Sequence, residues 1–111
     1  TGEAQERVYD AAWSGEERLL PDGSLAAVGS SVDLKTGLTA NSIGSPRLTV
    51  VWQDPEFDPG QSAFYYARVL QIPTARHSLL DKLALGNEDI DTRRPDTIQE
   101  RAYTSPIWYR P

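Results

Sequence analysis

Apolar residues along the chain fall into short alternating runs, separated by Gly, Pro, Asn and Asp, and only one run has helical spacing. Alternation with a period of two marks a strand with two distinct faces. Arg7–Trp13 reads as a first strand, with Val8, Asp10 and Ala12 on one face and Tyr9, Ala11 and Trp13 on the other. Ser31–Leu34 is a short second strand. In Arg47–Trp52, Leu48, Val50 and Trp52 share one face and Thr49 and Val51 the other, in β-branched and aromatic residues that favour extended backbone. Ala63–Ile72 is the longest candidate. Both of its faces are substantially apolar, which predicts a central strand. Arg101–Tyr109 is the last strand and its expected neighbour. Pro106 has no N–H to donate, so it must stand at an edge or a bulge.

The connections carry their own signals. Ser14–Arg18 reads as a turn, Pro21-Asp22-Gly23 combines a preset φ with a residue that tolerates positive φ, and Gly44-Ser45-Pro46 turns the chain again. Asp54-Pro55 and Asp58-Pro59 resemble caps followed by Pro, and predict a single 3₁₀ turn. Leu79, Leu80 and Leu83 form a helical stripe after Pro73. Ser78 and Asp81 have capping-box spacing and Gly86 is a stop, which gives one helix over about 78–86. The polar segment from Asn87 to Ile98 reads as a surface loop. Short strands, many turns and one helix predict a mainly β fold: a small antiparallel β-sandwich or open barrel of about five strands. With 111 residues, positions 1–111 are expected to form a single β domain.

Charge and composition narrow the function classes. The formal net charge is −5, and the Arg residues are scattered among a larger number of acids. That balance opposes a nucleic-acid role. Without Cys there is no disulfide, thiolate nucleophile or Cys-based zinc site. No apolar run reaches the roughly 20 residues of a helical membrane span, so no membrane partner is expected. The absence of Met leads to the expectation that Thr1 follows a cleavage or lies inside a longer reading frame.

The candidate chemistry is sparse. His77 is the single His, and a base needs an orienting partner and a nucleophile that adjacent Ser78 cannot supply from a helix start. Asp54, Glu56 and Asp58 alternate like the opening of a calcium loop. Pro59 stands where that loop requires Gly, and Tyr65 where it requires a bidentate Glu, so the acids read as turn formers. Trp52, Tyr65, Tyr66, Tyr103, Trp108 and Tyr109 either fill a core or present a stacking surface. Of these, Trp108, Tyr109 and Trp52 are the ligand-binding candidates, for a carbohydrate or another small molecule. Arg68 lies on the apolar face of the long strand and is expected to pair with a carboxylate, Glu100 or Asp33. Arg68, Glu100, Arg101, Tyr103 and Tyr66 are assigned structural or domain-packing roles. No catalytic set, metal cluster or cofactor site assembles from these residues.

Long ordered stretches resemble a known family. Ala63-Phe-Tyr-Tyr-Ala-Arg-Val-Leu-Gln-Ile-Pro-Thr74 and Gln99-Glu-Arg-Ala-Tyr-Thr-Ser-Pro-Ile-Trp-Tyr109 are similar to the C-terminal part of the bacterial domain-of-unknown-function 3604 family. Val8-Tyr9-Asp10, Trp13-Ser14, Val32-Asp33-Leu34, Val51-Trp52, Asp54-Pro55 and Phe57-Asp58-Pro59 extend the likeness over about Arg7 to Tyr109. One departure is Ala75-Arg76-His77 where the family leads one to expect Pro-Arg-Trp. The resemblance implies a longer parent, whose upstream part is related to metal-dependent phosphoesterases of the PHP type. The sequence leaves the compartment open, with an exported or periplasmic parent among the readings. This chain would then be a non-catalytic C-terminal β module bracing or capping a catalytic domain, with the remainder of its own parent chain as partner. The alternative is a carbohydrate or small-ligand module that uses exposed aromatics. His77 and the 87–98 loop are the residues through which a neighbouring site would be reached.

Overall fold

The computed structural model describes residues 3–87 and 89–111. Its organising element is a long antiparallel ribbon made by two arms of the chain, 63–76 and 96–109. Strand β1 (Ala63–Tyr65) pairs with β6 (Ile107–Tyr109), β2 (Arg68–Leu70) with β5 (Arg101–Tyr103), and β3 (Thr74–Ala75) with β4 (Thr97–Ile98). The pairs are nested, so the arms run side by side from one end to the other. Backbone bonds continue the ladder between them: Gln71 N–H to Glu100 O at 2.9 Å, Thr104 N–H to Ala67 O at 3.0 Å, and Arg76 N–H to Asp96 O at 2.8 Å.

Two bulges interrupt the ribbon, and each contains a proline. Between the β1–β6 and β2–β5 pairs, Tyr66 and Ala67 stand opposite Thr104, Ser105 and Pro106. Between β2–β5 and β3–β4, Gln71, Ile72 and Pro73 stand opposite Gln99 and Glu100. Each bulge holds one extra residue, first on the second arm and then on the first, so the second offset cancels the first. Pro106 therefore sits at a bulge, as its missing N–H requires. The pairing does not stop at Ile72, the expected end of the long strand: Pro73 occupies the compensating bulge, and the ladder resumes at Thr74.

The helix α1 (His77–Ala84) springs directly from β3. It begins one residue before the expected Ser78, and its N-cap is Arg76, without a side-chain capping bond. The Ser78–Asp81 box does not form, because Arg76 is already fixed in the ribbon and its carbonyl accepts from Leu79 N–H at 2.9 Å. Gly86 stops the helix as predicted. Its φ is 64°, and Gly86 N–H to Leu83 O and Asn87 N–H to Lys82 O close the paired terminal bonds of a Schellman motif.

Upstream of the ribbon the chain makes two small hairpins. One turns at Pro21-Asp22-Gly23 and brings Leu19 opposite Leu25, with Leu20 N–H bonded to Ser24 O at 2.9 Å. The Arg18 side chain fastens its base through the carbonyls of Ala26 and Ser14. The other brings Val32 opposite Thr39. A single-turn 3₁₀ helix occupies Glu16–Arg18. At Asp54 and Asp58 there is no 3₁₀ helix. Each carboxylate accepts the N–H two residues on, from Glu56 and Gly60, both at 2.8 Å, and makes a local turn.

The fold is mainly strand in antiparallel pairs with one helix, and no closed barrel forms among the described residues. Arg7–Trp13 and Arg47–Trp52 are not ladder strands. Their alternation prepares two faces, but no neighbouring strand lies alongside to hydrogen-bond. Val51 is 94% exposed. Ala63–Ile72 has one neighbour rather than two, so it is one arm of a ribbon and not a central strand.

Among the described residues only Leu79 is fully buried, at 1% exposure, on the inner face of α1. The molecule measures 61 × 32 × 24 Å with a radius of gyration of 19.1 Å, against about 13 Å for a compact domain of this length. Its accessible surface is 9442 Å². A compact protein of 12.3 kDa would expose about 6,100 Å², so the surplus is roughly 3,300 Å².

Candidate functional site: an aromatic ribbon with two unlike faces

The bulge at Thr104–Pro106 decides which aromatics meet. Trp108 and Tyr103 are five positions apart and would fall on opposite faces of an uninterrupted strand. The extra residue reverses the alternation and puts them on the same face. There Trp108 meets Phe64 (centroids 5.1 Å), Phe64 stacks on Tyr66 (6.3 Å, 12° between planes), and Tyr66 reaches Tyr103 (6.3 Å). Arg68 stands opposite Tyr103, and Arg101 opposite Leu70, so this face continues from the rings into a basic end. All four rings are exposed, Trp108 at 65% and Phe64 at 53%.

The opposite face is partly covered by upstream segments. Trp52 lies 5.2 Å from Tyr9 and 6.3 Å from Tyr65, and Phe57 meets Tyr109 edge-on at 4.9 Å. Tyrosine hydroxyls tie these segments down. Tyr65 donates to Asp54 at 2.8 Å, Tyr109 to the carbonyl of Pro59 at 3.0 Å, and Tyr9 to Glu56. Glu56 also pairs with Arg7 at 3.2 Å. Donation to Glu56 is the main reason that the Tyr9 phenol titrates above its ordinary value, and donation to Asp54 does the same for Tyr65. Tyr66 is raised in turn by its bond to Glu6. A phenol held by a carboxylate is a poor proton acceptor at neutral pH, so these tyrosines act as fasteners.

A shallow groove of about 500 Å³ lies where α1 leaves β3. It brings His77 and Arg76 together with Thr92 and Arg94 of the 87–98 loop and with Glu100. His77 is exposed, and its Nε2 lies 3.4 Å from Asp81, one helical turn away. Ser78 and Thr92 also line the groove, and the chain has no second imidazole.

The sequence-selected residues separate into these places. Trp52 and Tyr109 fall on the covered face and Trp108 on the open one, so the three ligand-binding candidates do not converge. Tyr66 and Tyr103 join Trp108. Arg68 is exposed and forms no ion pair among the described residues. With its face open to water, it has no desolvation penalty for Glu100 or Asp33 to offset. Glu100 lines the groove beside α1 instead. Phe64 was not singled out from the sequence, although its spacing of two from Tyr66 placed it in the same row. Tyr9 was also missed, since only its bond to Glu56, 47 positions away, reveals its role.

No group of three or more His, Asp or Glu side chains able to hold a metal occurs among the described residues. No helix among them is long and apolar enough to cross a membrane. The chain matches no curated protein and no solved structure. One family model does match it, over residues 1–111, and its description is protein of unknown function (DUF3604). The match takes in both ribbon arms, the bulge at Pro106 and the segments packed beneath them, and the chain belongs to the DUF3604 family.

Proposed function

We propose that this chain is a non-catalytic β module that braces or caps the catalytic domain of a larger, metal-dependent hydrolase-like protein. The observation that carries the reading is the burial pattern. A segment with a row of four exposed aromatics and, among the described residues, a single fully buried side chain has its apolar surface arranged for something outside itself. Obligate interfaces bury about 2,000–5,000 Å² counted over both partners, so a surplus of roughly 3,300 Å² on one side is ample to supply this chain's share of one. A carbohydrate would cover a small part of it. The covering domain would also supply neighbours for the unpaired Arg47–Trp52 segment and for the outer edges of the ribbon, completing the sandwich that the alternation of the sequence anticipates.

The test is the accessibility of Trp108 in the full-length protein. Its fluorescence, taken as the difference between the protein and its Trp108→Phe variant, is expected to be shielded from acrylamide. Trp108→Glu is expected to lower the thermal stability of the whole protein. The 111-residue segment alone is expected to hydrolyse no phosphoester with added divalent cations. Free quenching of Trp108, or turnover by the segment that its own substitutions abolish, overturns the proposal.

A second reading rests on the near-parallel Phe64 and Tyr66 rings beside Trp108, with Arg68 at the end of the row. Such a strip suits sugar stacking. Saturable binding of an oligosaccharide by the full-length protein, lost in Trp108→Ala, distinguishes it from the brace.

A further inference from the structure

A cavity of about 310 Å³ lies away from the exposed ring row, between the Val8–Trp13 segment, the hairpin at Leu19–Leu25 and Trp52. Its walls include three aromatic side chains, Tyr9, Trp13 and Trp52, together with Leu19, Leu25 and Asp10. Tyr9 and Trp52 meet at 5.2 Å and 45°, which makes a corner of two rings rather than a flat floor. Asp10 is the one charged residue in the lining. We propose that this cavity is an aromatic cage for a small organic cation of the quaternary ammonium type.

The chemistry of the lining selects that class. The face of an aromatic ring carries negative electrostatic potential and attracts a diffuse cation, Trp most strongly. A quaternary ammonium keeps its charge at every pH and has a greasy outer shell, so entering a ring-lined cavity costs it less hydration than it costs a primary ammonium. The Asp10 carboxylate supplies the counter-charge. Glu56 and Asp54 deepen the negative field behind Tyr9, while Arg7 is engaged by Glu56. The nearest lining-hairpin cation, Arg18, has its guanidinium committed to the carbonyls of Ser14 and Ala26. An anion would meet uncompensated repulsion here. A sugar needs several directed polar partners, and Asp10 is the one acidic or amide side chain that the lining offers. An uncharged apolar ligand would draw nothing from the exposed Asp10 carboxylate. A divalent metal needs a cluster of carboxylates, and among the described residues none forms. The volume falls at the small end of ligand pockets, roughly 300–1,000 Å³, which suits a ligand the size of choline.

The test is titration of the full-length protein with choline chloride, followed by calorimetry and by the upfield shift that ring currents impose on the ligand's methyl protons. Saturable binding with that shift is expected, at least about tenfold tighter than for the uncharged isostere 3,3-dimethylbutanol. Asp10→Asn, which preserves shape, is expected to weaken choline by about tenfold, and Trp13→Leu to reduce the ring-current shift. Trp108→Ala is expected to leave both unchanged, because that ring belongs to the other face. Equal affinity for the isostere, unchanged binding in Asp10→Asn, dependence on Trp108, or no binding by a protein whose thermal unfolding shows it folded would each overturn the cage. None of these outcomes bears on whether Trp108 is shielded by a catalytic domain, so the two proposals fail separately.

Discussion

Trp108 stands directly across the ribbon from Phe64, with ring centroids 5.1 Å apart, on a face where neither ring is covered. Cross-strand aromatic pairs contribute about 0.5–1.5 kcal/mol beyond area burial. A double-mutant cycle with Phe64→Ala and Trp108→Ala, read by denaturant unfolding, is expected to return a coupling in the lower half of that range. A coupling of zero would mean that the two rings are held apart in solution.

The bulge gives a sharper test of how that pair arises. Deleting Ser105 makes the arms equal between the flanking pairs. Trp108 and Tyr103 are then four positions apart in an unbroken strand, so Trp108 stays on the face of Phe64 and Tyr103. Retention of the Phe64–Trp108 coupling in the deletion, measured by the same cycle, is the expected outcome, and its loss would mean that the pairing slips in register instead of closing the bulge. Replacing Ser105 with Ala is expected to preserve it.

Burial predicts a steep contrast within one helix. Leu79 is the fully buried side chain, and its neighbour Leu80 is exposed. Leu79→Ala is expected to cost about 2–5 kcal/mol, as other buried leucines do. Leu80→Ala is expected to cost under about 1 kcal/mol. Chemical denaturation of both variants checks the ordering.

What the sequence reveals about this molecule differs from one element to the next. The pairing of 63–72 with 101–109 was legible, because both arms carry strand-forming residues and because Pro106 announces an edge or a bulge. The helix stop was legible from Gly86, the one left-handed position at the end of a leucine stripe. The face shared by Trp108 and Tyr103 was not, since a bulge inverts every alternation beyond it and its register is set by the partner strand. Arg47–Trp52 has the pattern of a strand and no ladder. Alternation reports which sides a segment would bury, and pairing depends on a neighbour that a linear pattern does not specify. The cage around Tyr9, Trp13 and Trp52 is assembled by distant segments, and its most revealing bond joins residues 47 positions apart.

Two glycines separate backbone strain from crowding. Gly23 and Gly37 both have positive φ, 83° and 73°. A Cβ on Gly23 would meet open space, whereas one on Gly37 would lie 2.5 Å from Leu80 Cδ2. Gly23→Ala is expected to cost about 1 kcal/mol from the left-handed backbone alone. Gly37→Ala should cost more, and Leu80→Ala should relieve the difference. Equal costs for the two glycine variants would show that the 31–40 hairpin does not rest on α1.

The tyrosine fasteners make stability depend on alkaline pH. Hydrogen bonding to Asp54 raises the Tyr65 phenol above its ordinary 10.0, and Glu56 does the same for Tyr9. A group whose folded value is raised contributes stability that is fully present below its unfolded value, and loses it as pH climbs through the folded value. The ribbon is therefore expected to hold its upstream segments at neutral pH and to loosen them above about pH 10. Asp54→Asn removes the charge that opposes ionisation. It is expected to move the Tyr65 titration, followed by phenolate absorbance, toward lower pH and to flatten the alkaline dependence of stability. At acid pH the sign reverses for Asp22, whose carboxyl is lowered mainly by the Ser24 hydroxyl and also by the Ser24 N–H. Its contribution is present above its ordinary 3.8 and is lost as pH falls below that. Ser24→Ala is expected to shift the Asp22 titration upward, as read by carboxyl carbon NMR, with no effect on the alkaline transition. An alkaline transition that moves in Ser24→Ala and not in Asp54→Asn would place the pH-sensitive fastening in the Pro21–Gly23 hairpin rather than under the ribbon.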